Sequence, residues 1–302
     1  MPAMEIQKNH LLAPYSTYQI GGNADYFLEA NTAQEVVDGL KFAKEDGLKV
    51  VVFGGGSNIL FDDSGFRGLV VRVRSSGLHV EGERIFADAG VSMAKLVKLA
   101  EESSLTGLEA WNGLPGTVGG AVRGNAGCFG TEIKDVLEKA TLYMPEEKSA
   151  SLQVGESARA KIKEVTKDFL DYGYRSSFVK SHPGVIVLSA VFLLKKGDSQ
   201  EIHKKMMETA KNRILKQPAG PSTGSFFKNP EGASAGKLIE DCGLKGKIIG
   251  KAQISPMHAN FFMNLGGANS KDIIALAELA ESQVKEKFGI TLEREVAVIE
   301  NA

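Results

Sequence analysis

At 302 residues with 43% hydrophobic content, the chain is long enough for two or three packed units with sizeable cores. Its 36 basic and 37 acidic residues leave a net charge of -1 with no block of one sign, which argues against a nucleic-acid or membrane surface and requires any anionic ligand to be held by local groups. No apolar run approaches the roughly 20 residues that span a bilayer, the first residues lack a secretory apolar core, and Cys128 and Cys242 form neither a disulfide framework nor a zinc site, so a cytosolic protein with two buried thiols is expected.

In chain order, Thr32 and Glu35 form a capping box ahead of Val36, Val37, Leu40 and Ala43, with Gly47 placed to stop that helix. The strand "KVVVF" follows, then "GGGSNILF", the apolar run "GLVVRV", and a hairpin through "LHVEGERIFADAG" whose turn falls at Glu81 and Gly82. A second helix starts near Ser92 and buries Met93, Leu96, Val97 and Ala100. The glycines of "GLPGTVGGAVRGNAG" are too dense for a packing helix and too ordered in type for a linker. Strands are expected at "KATLYM" and "GVIVLSAVFLL". A polar helix over Ser199 to Lys216 places Ile202, Met206, Ala210 and Ile214 on one face, and "QPAGPSTG" marks a boundary. Two helices, "ASAGKLIEDCG" and "SKDIIALAELAESQVKEKFG", end on glycine. In the last strand, "ITLEREVAVIE", a period of two sets Ile290, Leu292, Val296 and Val298 on one side, with Glu293, Glu295, Ala297 and Ile299 on the other.

Several motifs carry chemistry. In "VVVFGGGSNILF" a strand runs into Gly54, Gly55 and Gly56, where the backbone can approach a phosphate and successive N–H groups can cradle an anion. The dinucleotide fingerprint fails there because no amphipathic helix follows, so on this stretch alone a nucleotide loop and a plain turn both stand. The second cluster, Gly113 to Gly127, tips the balance toward one long ligand bearing several phosphates, the shape of a dinucleotide cofactor. "EGASAGKL" spells G-x-S-x-G, yet Lys228 to Glu231 cannot form the strand that a hydrolase elbow requires, and the P-loop spacing fails as well. His10, His79, His182, His203 and His258 never fall at metal-ligand spacing, so no metal is expected. In "DYGYRSSFVK" Arg175 is either a solvated cation or a fork for a carboxylate. Glu295 is either on a solvated edge or desolvated and raised in pKa. Ser225, in "STGSFFKNP", has no neighbouring base that would make it a nucleophile.

Taken in order, "YSTYQIGG", "VFGGGSNILF", "GLPGTVGGAVRGNAG", "YGYRSS", "GSFFKNP", "GKLIEDCGLKG" and "LEREV" closely resemble the UDP-N-acetylenolpyruvoylglucosamine reductase family, also called UDP-N-acetylmuramate dehydrogenases, from about Leu12 to Ile299. Only Ser181, His182 and Pro183 separate Lys180 from Gly184, which resembles the family's shorter second type without an inserted tyrosine loop. The resemblance implies an α+β chain with a two-part FAD-binding domain of the vanillyl-alcohol-oxidase (PCMH) type, at 1–75 and 76–205, followed by a smaller α+β substrate domain at 206–302. It implies non-covalent FAD, NADPH as hydride donor, a UDP-sugar enolpyruvyl ether as substrate, and a place in peptidoglycan precursor synthesis. A monomer is the expectation, with an oligomer left open.

By the same resemblance, Arg175 grips the substrate carboxylate, Glu295 stabilises the developing enolate, and Ser225 protonates the carbon left behind. Phe226 and Phe227 would fix that loop and exclude water. Lys216 and Asn229 match positions that contact the UDP diphosphate, and Tyr174 is a further candidate for the substrate site. Gly54, Gly55, Gly56, Ser57, Asn58, Pro115, Gly116, Thr117, Gly119, Gly120 and Asn125 line the FAD. Arg123 is unusual in its glycine cluster and either touches a cofactor phosphate or faces solvent. The competing reading is an FAD-dependent oxidase of a hydroxy acid or sugar alcohol on the same fold. The trio Ser225, Arg175 and Glu295 argues against it, because alcohol oxidation needs a base and no carbon acid. A third reading is a nucleotide-binding sensor without redox chemistry.

Overall fold

Thr32 opens the first helix by accepting the N–H of Glu35 on its hydroxyl at 3.1 Å, while the Glu35 carboxylate takes the N–H of Asn31 at 2.7 Å. The helix Ala33–Glu45 then leads to the strand Val50–Phe53. Ser92 caps the helix Met93–Glu102, whose apolar spacing of three and four turns Met93, Leu96, Val97 and Ala100 inward. A capping box between Asn269 and Asp272 starts the helix Ser270–Phe288. Gly289, at φ 72°, ends it in the left-handed conformation that costs glycine least.

The computed structural model describes residues 4–145 and 161–301. Two units emerge, one made of Met1–Glu29, Leu40–Arg72 and Ala210–Ala302, the other of Ala30–Gly39 and Val73–Thr209. In the first, a four-stranded sheet runs in the order Ile6–Leu11, Asn23–Ala30, Phe66–Val73, Val50–Phe53, and the last two strands are parallel. A three-stranded sheet of Ile248–Ile249, Ala252–Ile254 and Phe262–Asn264 lies in the same unit. Its core joins Phe226, Phe227, Phe262, Ile239, Ile273 and Leu276 to Tyr18, Ile20 and Leu60 from the N-terminal part of the chain. Burial of each large side chain of this kind contributes roughly 1.5–3 kcal/mol.

The second unit is built on a five-stranded antiparallel sheet in the order Lys161–Thr166, Leu137–Met144, Ile186–Leu193, Arg84–Asp88, Leu78–Glu81. Val187, Leu188, Ala190, Val191 and Phe192 are all buried, so the central strand Ile186–Leu193 is covered on both faces.

Five expectations change. The glycine cluster does contain a helix, Val118–Gly124, with Val118, Ala121 and Val122 buried. A Cβ on Gly119 would lie 2.9 Å from Cβ of Ala89, so glycine here permits close helix packing. The final strand is only Ala297–Ile299, parallel to Ile59–Phe61. Upstream of it the partner segment runs into Pro230, which has no N–H to extend a ladder. At the end of the helix Ser199–Lys216, Ile214 is 75% exposed and Arg213 takes the buried position. Cys128 and Cys242 are unbridged and half-buried, because Cys242 closes the helix Ala235–Asp241 at its surface end. The hairpin turn also shifts by one residue: Glu81 pairs with Arg84, leaving Gly82 and Glu83 in the bend.

Candidate active site

The first glycine loop is shaped by the N-terminal segment. Gly56 has φ 65°, and a Cβ there would lie 2.0 Å from the carbonyl oxygen of Tyr15. Its own carbonyl accepts the Thr17 N–H at 3.1 Å and the Thr17 hydroxyl at 3.3 Å. Gly56 is thus buried, whereas Gly55 and Asn58 are exposed and Gly54 and Ser57 half-buried. Exposed Gly55 and the small residues on either side of it leave room for a phosphate to approach the backbone, so the loop's residues fit a pyrophosphate. The chain enters a short strand, Ile59–Phe61, directly afterwards, with no dinucleotide-type helix.

Beside this loop, segments distant in sequence lie hydrogen-bonded side by side. Ser225 pairs antiparallel with Phe261, and Phe227 pairs antiparallel with Arg294. The Phe226 N–H donates to the Asn260 carbonyl, and the Phe226 carbonyl accepts the Glu295 N–H, each at 2.8 Å. The Lys228 N–H donates to the Glu293 carbonyl at 2.8 Å, and the Lys228 ammonium is paired with the Glu293 carboxylate. On the far side of Glu295, Asn58 Nδ2 donates to the Glu295 carbonyl and the Asn58 carbonyl accepts the Ala297 N–H, both at 3.1 Å. The order across this ladder is therefore Asn260, Ser225–Lys228, Glu293–Ala297, Asn58. Ser225 and Glu295, both half-buried, come from adjacent segments.

Phe226 and Phe227 anchor the ladder from below. Phe226 stacks on Phe262 with centroids 4.7 Å apart, and Phe227 meets both rings edge-on at 5.1 and 5.8 Å. Asn260 went unnoticed in the sequence. It is buried, its Oδ1 accepts the Phe227 N–H at 2.9 Å, and its Nδ2 donates to the Phe227 carbonyl at 2.8 Å. Its one sequence signal is a polar residue inside the apolar run "ANFFMN". The His258 ring, whose basicity burial pushes below the ordinary value, accepts the Asn260 N–H on Nδ1 at 3.2 Å.

In the second unit, Thr117 precedes the helix Val118–Gly124, and the amides of Val118 and Gly119 donate to the carbonyls of Val91 and Ala89 at 2.9 Å. Pro115 and Gly120 are exposed and Gly116 is half-buried. Asn125 is fully buried: its Nδ2 donates to Glu132 and to the Gly173 carbonyl, and its Oδ1 accepts the Lys134 N–H. Its side chain therefore ties the glycine cluster to the segment that carries Arg175. Arg175 adopts φ 54°, an unusual conformation for a side-chain-bearing residue. Its Nη2 donates to the Gly127 carbonyl at 2.7 Å, and its guanidinium lies 5.2 Å from the Tyr174 ring centroid. Lys180 Nζ donates to the Arg175 carbonyl at 2.9 Å, fixing the turn. Arg123 is exposed on its helix, and its carbonyl accepts the Ser177 hydroxyl at 2.6 Å.

The structure places the other predicted residues more loosely. Lys216 is exposed at the last position of its helix. Asn229 is exposed, and its Oδ1 accepts the Ala235 N–H at 3.0 Å, opening the helix Ala235–Asp241. Tyr174 is 48% exposed. Ser234, of the G-x-S-x-G string, is the cap of that helix, where its hydroxyl accepts the Lys237 N–H at 3.4 Å. No helix among the described residues is long and apolar enough to cross a membrane.

Comparison with known proteins adds to this geometry. The family profile "UDP-N-acetylenolpyruvoylglucosamine reductase, C-terminal domain" matches residues 215–299, and the profile "FAD binding domain" matches residues 24–151. The UDP-N-acetylenolpyruvoylglucosamine reductase of Clostridium novyi is 39% identical over 297 residues, 98% of this chain and 92% of that protein. That of Geobacillus thermodenitrificans is 41% identical over 297 residues, 98% of this chain and 91% of the relative. The crystal structure of the Thermus caldophilus UDP-N-acetylenolpyruvylglucosamine reductase, 34% identical, superposes with a TM-score of 0.81, covering 99% of this chain and all of the other.

Proposed function

The chain belongs to the UDP-N-acetylenolpyruvoylglucosamine reductase family, and from that premise we propose that it uses NADPH to reduce the enolpyruvyl ether of UDP-N-acetylglucosamine to UDP-N-acetylmuramate, in the cytosol, during peptidoglycan precursor synthesis. It is an FAD-containing oxidoreductase, and Gly54–Asn58 and Pro115–Gly120 are its cofactor-binding segments. Asn125 shapes the second loop from inside. The observation that carries the reading is the ladder that sets Ser225 and Glu295 on adjacent segments beside Asn58.

FAD held by these segments would supply the two-electron chemistry that links NADPH to the enol-ether carbon remote from the substrate carboxylate. The protein's residues handle the charge and the proton. Arg175, its turn held by Lys180, presents a planar cation to the substrate carboxylate. Glu295 hydrogen-bonds the enolate-like charge that builds as hydride arrives. The Ser225 hydroxyl gives its proton to the adjacent carbon, completing the saturated ether, and recovers a proton from solvent. A free serine is too weak an acid for this, so the hydroxyl must be held against a strongly basic carbon, the service the ladder and the buried Phe226 and Phe227 perform. Lys216 and Asn229 meet the diphosphate, and Tyr174 borders the sugar nucleotide.

We assign the cofactor-binding part to residues 1–75 and 76–205 and the substrate part to 206–302. The separate profile matches at 24–151 and 215–299 support this division. The test is spectroscopic. Under anaerobic conditions NADPH should bleach the flavin, and the enolpyruvyl sugar nucleotide should restore its colour. Colour that returns with oxygen but not with that substrate overturns the reading.

A further inference from the structure

Asn58 belongs to the glycine loop, yet both its amide and its carbonyl are turned to the segment that carries Glu295. Nδ2 donates to the Glu295 carbonyl and the main-chain oxygen accepts the Ala297 N–H, each at 3.1 Å. The next residues continue the contact as a parallel pairing, Ile59 with Ala297 and Leu60 with Val298. The Glu295 N–H is in turn taken by Phe226, one residue from Ser225. Both peptide groups flanking the Glu295 side chain are thus fixed, one by the proton donor's segment and one by the cofactor loop.

We propose that Asn58 is a positioning residue for Glu295, which makes the placement of that carboxyl depend on the conformation of the glycine loop. The inference rests on the proposed role of Glu295 toward substrate. Cofactor in the loop restrains Asn58, Asn58 restrains the main chain at Glu295 and Ala297, and the acid is poised only when the loop is set. A short amide suits this task. It spans one peptide width, donates from Nδ2, and adds no charge beside a carbonyl.

The experiment uses the full-length flavoprotein and Asn58→Asp, which is isosteric but replaces the donor with an acceptor. Measured on the flavin-loaded protein, reoxidation by the enolpyruvyl sugar nucleotide should slow roughly ten- to a hundredfold at pH 8, and by more than any change in the rate of reduction by NADPH. The variant-to-wild-type ratio of reoxidation rates should recover as pH falls through the carboxylate range, because the new carboxyl donates again once protonated. Amide hydrogen exchange at Glu295 and Ala297 should be faster in the variant, and FAD should slow it more in the wild type. A variant that loses flavin but reoxidises normally when loaded, or one whose two half-reactions fall together without recovery in acid, overturns the proposal. Unchanged exchange at Glu295 and Ala297 overturns it too. Failure of the wild type itself to be reoxidised by the sugar nucleotide would sink the proposed function, whereas the exchange result judges the Asn58 link by itself.

Discussion

Asn260 brackets the peptide groups of Phe227, accepting its N–H at 2.9 Å and donating to its carbonyl at 2.8 Å, from a side chain that is almost wholly buried. Asn260→Leu removes both bonds and strands two buried main-chain groups. The expected cost is about 2–4 kcal/mol, because an unsatisfied buried donor or acceptor loses its hydration without return. Urea unfolding of the flavoprotein measures it. A change below about 0.5 kcal/mol would mean that Phe227 finds other partners.

Ser225→Ala leaves the ladder intact, since the bonds that hold this segment are main-chain bonds. Flavin reduction by NADPH should be unaltered, and reoxidation by the enolpyruvyl substrate should fall by orders of magnitude, on the order of 10³-fold for loss of a positioned proton donor. Stopped-flow measurement of the two half-reactions separates these outcomes. Equal loss in both would assign the hydroxyl to binding or folding instead.

Two glycines of one short helix should respond in opposite ways to alanine. At Gly119 the new methyl would lie 2.9 Å from Cβ of Ala89 and 3.2 Å from its carbonyl oxygen, so overpacking should destabilise by about 1–3 kcal/mol. At Gly124 nothing lies within 4 Å, and the gain in helix propensity should stabilise by about 0.5–1 kcal/mol. Thermal unfolding of Gly119→Ala and Gly124→Ala checks both signs.

Tyr18 is fully buried, and burial pushes its phenol well above the ordinary value of 10. The Thr223 hydroxyl lies close enough to offset a little of this, yet neither oxygen reaches a hydrogen-bond partner among the described residues. Lowered folded-state acidity means that the folded protein holds the proton more tightly than the unfolded chain. The associated stability is complete below pH 10 and drains away as pH rises above it. Tyr18→Phe removes both the unpaired hydroxyl and this titration. The variant should be at least as stable as the parent at pH 7, and its stability should fall less steeply between pH 10 and 12. A loss of more than about 1 kcal/mol at pH 7 would show that the hydroxyl is satisfied after all.

Much of the scaffold could be read from residue spacing. The helices at Met93–Glu102 and Ser270–Phe288 carry their caps and apolar stripes in plain view, and Leu137–Met144 and Ile186–Leu193 are β-rich runs between turn residues. What escaped depends on tertiary neighbours. The helix Val118–Gly124 is built from glycines whose value lies in the space that Ala89 occupies, and composition alone argues against a helix there. The run Ile290–Val296 has strand periodicity, but its partner segment supplies only the few bonds around Phe227. Asn260 is one polar residue in an apolar stretch, and only the fold shows what it holds. The roles of Ser225, Arg175 and Glu295 came from family resemblance, since period and propensity say nothing about acids that act only against a bound substrate.

The contact between Asn58 and Glu295 joins residues 237 positions apart. Such closure carries a large chain-entropy cost and forms late. During synthesis the sheet of the second unit has all its strands by Leu193. The strand Ile59–Phe61 must wait for Ala297–Ile299, with an unpaired edge in the meantime. A nascent or truncated chain therefore displays an aggregation-prone strand beside an incomplete cofactor loop. Yield and flavin content should rise and fall together with whatever shortens that wait.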